Sequence, residues 1–379
     1  MKKPGVIVLG GHVQGLGILR IFGREGIPGI LIDDTALNLG RHSKYCLKFF
    51  KISEKDLLKK LYQLGEDGQY KEWLIFPTND FYVKLLSQNK KQLEKQFIVS
   101  TDDWESVRLF YNKRETYQFA KKLSIPIAAT FYPKNETDLD KIQIEYPCII
   151  KPAIMYDFYR QVKKKVFVCG SIEELKTNYR KALGLIPAEE ILVQEIIKGP
   201  SKNQFSACFL FLNGQSYVHL TACRMRQHPI DFGNATTYAE TVDVPVLKEY
   251  GERLLAAANY NGICEVEFKL DERDNQYKFL EVNARTWKWH TIANKAKTPF
   301  LTLLYDHLTG NEIHKKGGFS SASYIHFLTD FPVRIKLFLK GYAFWNRKIS
   351  PIECAVWAAD DMKPWFFEKL YLPFYLIKR

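Results

Sequence analysis

Apolar residues along this chain follow two rhythms, one after the other. In the first hundred residues short unbroken apolar runs alternate with helical periodicity. Val6–Leu9 is one such run, leading into the glycine-rich turn GGHVQGLG and an amphipathic stretch over Val13–Phe22. Gly29–Asp33 and Trp73–Phe76 are further runs, with helical patterning over Lys55–Leu64 and Phe81–Leu86, and Phe97–Ser100 is a last short strand. Buried strands that alternate with helices predict βαβ units and a parallel sheet. Asp102–Leu123 then reads as one long helix, ended by Ile125-Pro126.

Beyond residue 145 the rhythm changes to antiparallel pairing. Tyr146–Pro152 and Ile191–Gly199 are apolar strands, and Ser171 and Glu174 open a helix over Ser171–Leu183 at capping-box spacing. Phe205–Leu212 and Ser216–Cys223 flank Asn213-Gly214, the dipeptide that favours a two-residue hairpin turn. A helix over Leu247–Asn259 leads into a second hairpin, CEVEFKLDERDNQYKFLEVNAR, from Cys264 to Arg285. Strict alternation there puts Cys264, Val266, Phe268 and Leu270 on one face, and Asp271–Gln276 is polar turn material. Folding at that turn sets Glu267 near Glu281 and Glu265 near Asn283, to within about one residue of register.

Directly opposed carboxylates destabilise an antiparallel pair. Three carboxylates and an amide oxygen on one polar face either face water or enclose a hard cation, and an all-oxygen set suits Mg²⁺. Two residues beyond Asn283 stands Arg285, a guanidinium able to neutralise a phosphoryl group, followed by Trp287, Trp289 and His290. Removing one crowded carboxylate is expected to relieve repulsion in the metal-free protein.

A glutamate followed fourteen residues on by E-x-N-x-R resembles the metal and phosphate hairpin of the ATP-grasp ligases. The usual proline between Asn and Arg is Ala284. The resemblance covers residues 5 to 310 and points to the carbamoyl phosphate synthetase large-chain and D-aspartate ligase-like members. It implies an α/β chain (α+β in its nucleotide domain). Residues 1–112 would form a Rossmann-like domain, residues 113–310 an ATP-grasp domain binding nucleotide and metal, and residues 311–379 an aromatic and basic C-terminal extension. Glu267, Glu281 and Asn283 would ligate Mg²⁺, with Mn²⁺ able to substitute, and Arg285 would contact phosphate. Lys151 in YPCIIKP would face the α and β phosphates, which agrees with the cost of burying an ammonium without an anion. Lys113 would reach phosphate, or remain a solvated helix lysine. Gln194, Glu195 and Ile197 in ILVQEIIKG would line adenine. Arg226, with the Phe232-Gly233-Asn234 loop, would hold the carboxylate substrate; on a regular strand Arg224 shares its face. Where the family often has a glycine-rich lid, this chain has the aromatic and basic AIMYDFYRQVKKK, with Arg160 and Lys163 to Lys165.

The implied activity is ATP-dependent ligation of a carboxylate to an amine through an acyl phosphate, on small-molecule substrates. One rival is a nucleotide-binding protein that regulates or scaffolds without ligating. Another is a nicotinamide-dependent oxidoreductase, which rests on the N-terminal glycines alone. Their spacing departs from GxGxxG, and a tight strand-to-helix turn explains them as well. At Thr78-Asn79-Asp80, Asp80 either places substrate or, like Asn79, caps the next helix.

Composition narrows the setting. A chain of 379 residues with 46% hydrophobic content has room for two or three cores. Seven cysteines without a CxxC pair point to a reducing compartment and no zinc site. No secretory leader and no run of about eighteen apolar residues is expected, hence a cytoplasmic protein without a membrane span. The +13 net charge suits a phosphate-handling protein, and nucleic acid is not expected. Residues Arg334–Lys348 and Lys363–Arg379 interleave aromatics with Lys and Arg. They either pack on the body or lie on a membrane surface, and a homodimer stays open.

Overall fold

The computed structural model describes residues 3–155, 158, 162, 164–230, 235–342 and 350–377, with side chains through 374 in the last stretch. Five strands form the first sheet: β1 (Val6–Leu9), β2 (Gly29–Asp33), β3 (Cys46–Lys51), β4 (Leu74–Pro77) and β5 (Ile98–Val99). All pairs are parallel, in the order β3-β2-β1-β4-β5. β1, β2 and β4 read as continuous apolar runs because they are buried on both faces. β3 escaped the sequence analysis: it is an edge strand, partly exposed and interrupted by lysines.

The glycine turn after β1 is filled by the protein itself. Gly10 has φ +92°, and a Cβ there would meet the Thr78 hydroxyl at 2.2 Å. Gly11 N donates to Asp33 Oδ2 at 2.5 Å, and Thr78 Oγ1 donates to Leu9 O at 2.6 Å. These contacts account for the glycines as a tight turn. The nicotinamide reading loses the only feature on which it rested.

The long helix expected over Asp102–Leu123 is two helices, Trp104–Tyr111 and Lys113–Lys122. Asn112 breaks the run. Its backbone is extended, and Oδ1 accepts from Arg114 N at 3.0 Å and Glu115 N at 3.4 Å. A residue that can satisfy the first free N–H groups makes a new helix start cheap. The consequence is functional, because Lys113 becomes the first helical residue, beside the second sheet.

That sheet comprises β6 (Thr130–Phe131), β7 (Cys148–Pro152), β8 (Phe167–Cys169) and β9 (Ile191–Glu195), antiparallel in the order β6-β9-β7-β8. The third is the largest: β10 (Gln204–Leu212), β11 (Gln215–His228), β12 (Ala235–Thr241), β13 (Gly262–Asp271), β14 (Gln276–Asn283), β15 (Ser323–Ile325) and β16 (Ile352–Cys354). Its order is β14-β13-β10-β11-β12-β15-β16. The Asn213-Gly214 turn joins β10 and β11, both residues at positive φ as a two-residue hairpin requires.

Residues beyond 310, expected as an extension, supply β15 and β16 to this sheet and enter the central core. Tyr324 and Tyr371 pack there with Leu16, Phe22, Trp287 and Trp289. Arg20 of the first helix, Val13–Arg24, donates through Nε to Asp361 Oδ2 at 2.9 Å in a buried pair. The C-terminal segment is therefore part of the packed body.

Candidate active site

The β13–β14 hairpin has the register that alternation predicts: Glu265 opposite Asn283 and Glu267 opposite Glu281. One slip follows, Phe268 pairing with Phe279 so that Leu280 bulges, and its carbonyl accepts from Tyr117 Oη at 2.7 Å. Cys264, Val266 and Phe268 are fully buried on the apolar face. The other face is not solvated: Glu265 is 2% exposed and Glu267 5%. Buried carboxylates need partners, and every one of these has them.

Glu267 accepts from Gln204 Nε2 at 2.5 Å, from Asn283 Nδ2 at 3.1 Å and from Arg224 Nη2 at 3.1 Å. Glu265 accepts from Ser206 Oγ at 2.8 Å and Asn283 Nδ2 at 3.0 Å. Burial, reinforced by neighbouring Glu267, pushes the Glu265 carboxyl up to about 8. Glu281 pairs with Lys113 at the start of its helix, and that ammonium holds it well below the usual carboxylate range. Burial alone would lower the Lys113 ammonium, but the charge of Glu281 outweighs it and raises it. Lys113 is thus a largely buried, paired lysine and not a solvated one.

Lys151 on β7 is buried with Nζ 2.5 Å from Tyr117 Oη and 4.5 Å from the centre of that ring. No carboxylate among the described residues lies within ion-pair distance of it. Burial, and next the repulsion of Lys113, lower its ammonium to about 7. Burial also lowers Lys165, whose charge faces Glu281 and Glu267. Arg160, Lys163 and the Phe232-Gly233-Asn234 loop lie outside the described residues.

Arg285 spans two sheets. Its Nη2 donates to Asn283 Oδ1 at 3.0 Å and its Nε to Asp80 Oδ1 at 2.7 Å. Asn79, not Asp80, caps the helix Asp80–Gln88, accepting from Tyr82 N at 2.9 Å. Asp80 is thereby left for Arg285.

Arg224 and Arg226 part company. β11 carries an irregularity between Cys223 and Arg226, so the common face expected of a regular strand is not formed. Arg224 turns to Glu267, its Nε buried and without a hydrogen-bond partner among the described residues. Arg226 makes a two-point pair with Asp330, at 2.8 and 3.0 Å, and stacks on Tyr238 with its Cζ 4.1 Å from the ring centre. Arg224 is the guanidinium that joins the carboxylate cluster, which the expectation for Arg226 missed. Gln204, Ser206 and Tyr117 were also missed. β10 lies beside β13 with Ser206 opposite Glu267, a pairing that local pattern does not specify.

On β9 Gln194 Nε2 donates to Thr130 Oγ1 at 2.7 Å. The Glu195 carboxylate is engaged by Arg273 Nη2 at 2.8 Å and Lys278 Nζ at 3.3 Å. The Ile197 carbonyl accepts from Lys269 Nζ at 2.9 Å. The charged end of Glu195 is therefore occupied, leaving its backbone and aliphatic stem.

Among the described residues no three His, Cys, Asp or Glu side chains stand close enough to enclose an ion. Lys113 and Arg224 now neutralise the carboxylates that a divalent cation would bridge, and Asn283 turns its Nδ2, not its oxygen, toward them. The donor set still fits a hard cation. Glu267 and Glu281 are cross-strand partners on one face, and turning them from their ion pairs, with a flip of the Asn283 amide, presents only oxygen. With Lys151 and Arg285 beside them, the cluster can hold an anionic polyphosphate and balance charge on a moving phosphoryl group.

Residues 228–302, which include this hairpin, match the family model of the carbamoyl-phosphate synthase L chain, ATP binding domain. The chain is 24% identical over 233 residues to D-aspartate ligase of Enterococcus faecium, covering 57% of this chain and 53% of the relative, about half its length. It resembles the biotin carboxylase of Campylobacter jejuni, solved as a β-γ-ATP complex, with TM-score 0.67 at 16% identity, covering 83% of this chain and 73% of that one. It also resembles N5-carboxyaminoimidazole synthetase of Staphylococcus aureus, with TM-score 0.64 at 17% identity, covering 93% and 92%. These likenesses establish the ATP-grasp fold that the hairpin motif implied.

Proposed function

We propose that this chain, whose fold is the ATP-grasp fold, is an ATP-dependent carboxylate–amine ligase. The observation that carries the reading is the meeting of Lys113, Lys151, Arg224 and Arg285 with Glu265, Glu267, Glu281 and Asn283 around one hairpin. Four basic side chains from four segments suit a polyphosphate, and the Glu267 and Glu281 carboxylates beside the Asn283 amide suit a divalent cation. Glu267, Glu281 and Asn283 would hold Mg²⁺, or Mn²⁺ in its place, and a bound cation would neutralise phosphate oxygens. Lys151 and Lys113 orient the polyphosphate, and Gln194 and Ile197 line the base. Arg285 stabilises charge on the phosphoryl group as it passes from ADP oxygen to the substrate carboxylate. The amine nitrogen then bonds to the acyl carbon, phosphate leaves and the nitrogen gives up a proton. Arg226, held by Asp330, is the proposed anchor for the carboxylate substrate.

Proposed alongside it are a boundary between a first unit of residues 1–112 and a nucleotide- and metal-binding unit that begins at residue 113 and, through β15 and β16, draws on residues beyond 310, with a cytoplasmic location, a homodimer and peripheral membrane contact through the C-terminal segment. The match to D-aspartate ligase supports an amino acid as one substrate. Screening pairs of amino acids and organic acids for stimulated ADP release tests the activity. At least one pair should stimulate release and yield an amide product. Tight ATP binding with no stimulation by any pair would favour a nucleotide-binding regulator instead.

A further inference from the structure

The helix Phe327–Leu339 is amphipathic in the inverted sense. Its buried side carries Asp330, Val333 and Arg334, and Asp330 accepts from Arg226, from Thr237 Oγ1 at 2.8 Å and from Arg334 Nε at 2.6 Å. Its outer side carries Phe327, Phe331, Ile335, Phe338 and Leu339, with Phe331 58% and Leu339 78% exposed. The helix Lys363–Leu370 and its continuation pack Phe367 and Tyr371 inward, Phe367 stacked on His42, yet also leave an apolar stripe outside. Glu368 is buried and bonded to His326 Nε2 at 2.5 Å, while Phe366, Leu370 and Phe374 stand exposed four residues apart. A surface helix of a water-soluble body turns its apolar stripe inward. Here the Asp330 ion pairs on the first helix, and the Glu368–His326 hydrogen bond with Phe367 on the second, face inward and leave a further apolar stripe outward on each.

The charges on the outer face have one sign. Lys336 and Lys340 on the first helix and Lys363 and Lys369 on the second are exposed, whereas Asp330, Asp361 and Glu368 are buried in pairs. A second copy of the chain would bring lysines against lysines across a two-fold contact. Aromatic and aliphatic stripes framed by lysine are complementary to anionic lipid headgroups above an acyl layer. No helix among the described residues is long and apolar enough to cross a membrane.

We infer that the outer faces of these two helices are a docking surface for an anionic bilayer, the apolar stripes entering the interface and the four lysines resting on headgroup charge. This deepens the peripheral contact proposed above and is independent of the ligase reading. Co-sedimentation of the full chain with vesicles of phosphatidylcholine alone and with about 30% phosphatidylserine tests it. Binding should require phosphatidylserine and weaken with salt. Lys336→Ser with Lys340→Ser should weaken it about thirtyfold, at roughly 1 kcal/mol per lysine. Phe331→Ser with Phe366→Ser should weaken it several-fold without altering ADP release in solution. Equal binding to neutral vesicles would overturn the charge recognition and leave peripheral contact standing. Failure to bind either vesicle would overturn both. Sedimentation velocity showing a dimer that the Phe pair dissolves would assign the face to a second copy and overturn the proposal.

Discussion

The charge of Lys151 is set by its surroundings, and nucleotide binding should reverse that setting. Burial, followed by repulsion from Lys113, lowers its ammonium from the ordinary 10.5 to about 7. At pH 8 the side chain is therefore about nine-tenths neutral in the free protein. A polyphosphate laid against Nζ favours the charged form, so through this lysine binding at pH 8 draws up to about one proton per nucleotide from solvent. Well below pH 7 the lysine is already charged and uptake fades away. Between about 7 and the pH at which the bound lysine titrates, affinity falls by up to roughly tenfold per pH unit. The same shift acts on folding. The unfolded chain keeps this proton up to 10.5, so the ligand-free protein gains stability as pH rises from about 7 toward 10.5. Isothermal titration with a non-hydrolysable ATP analogue, in HEPES and in Tris at pH 8, measures the uptake, because the two buffers release protons with different heats. Lys151→Met keeps the stem but should bind weakly, with heats independent of buffer. A parent protein that binds the analogue with buffer-independent heat at pH 8 would refute the reasoning and remove Lys151 from the phosphate site.

Glu281→Gln should lower substrate-dependent ADP release on the order of a hundredfold or more. It should also cost roughly 1–3 kcal/mol in denaturant unfolding, since Lys113 loses its partner in a partly buried place. That reverses the relief of repulsion expected from sequence, and unchanged stability would show the pair to be dispensable. Asp330→Asn should destabilise by roughly 3–5 kcal/mol, because Arg226 and Arg334 share that one buried carboxylate. A measured loss under 1 kcal/mol would mean that the C-terminal helix is not anchored there.

Pattern alone fixed much of the site. Period-two alternation decided that Glu265, Glu267, Glu281 and Asn283 share a face, because a slip of one residue would have put Cys264, Val266 and Phe268 in water. A lone lysine in the apolar run of β7 was legible as a buried cation for the same reason. Four of the five strands of the first sheet followed from apolar runs and glycine turns, which are local in sequence; β3, a partly exposed edge strand, did not. What escaped depends on contacts between distant segments. That Lys113 and Arg224, and not a neighbour on the hairpin, neutralise the carboxylates required the order of strands and the break at Asn112. Whether Arg224 and Arg226 face the same way turned on an irregularity in β11, which alternation cannot anticipate. The C-terminal helices read as aromatic and basic in either setting. Only the tertiary contacts, the ion pairs at Asp330 and Asp361, the Glu368–His326 hydrogen bond and the packing of Phe367 and Tyr371, decided which side of each faces out. An amphipathic helix specifies two faces, and its partners choose between them.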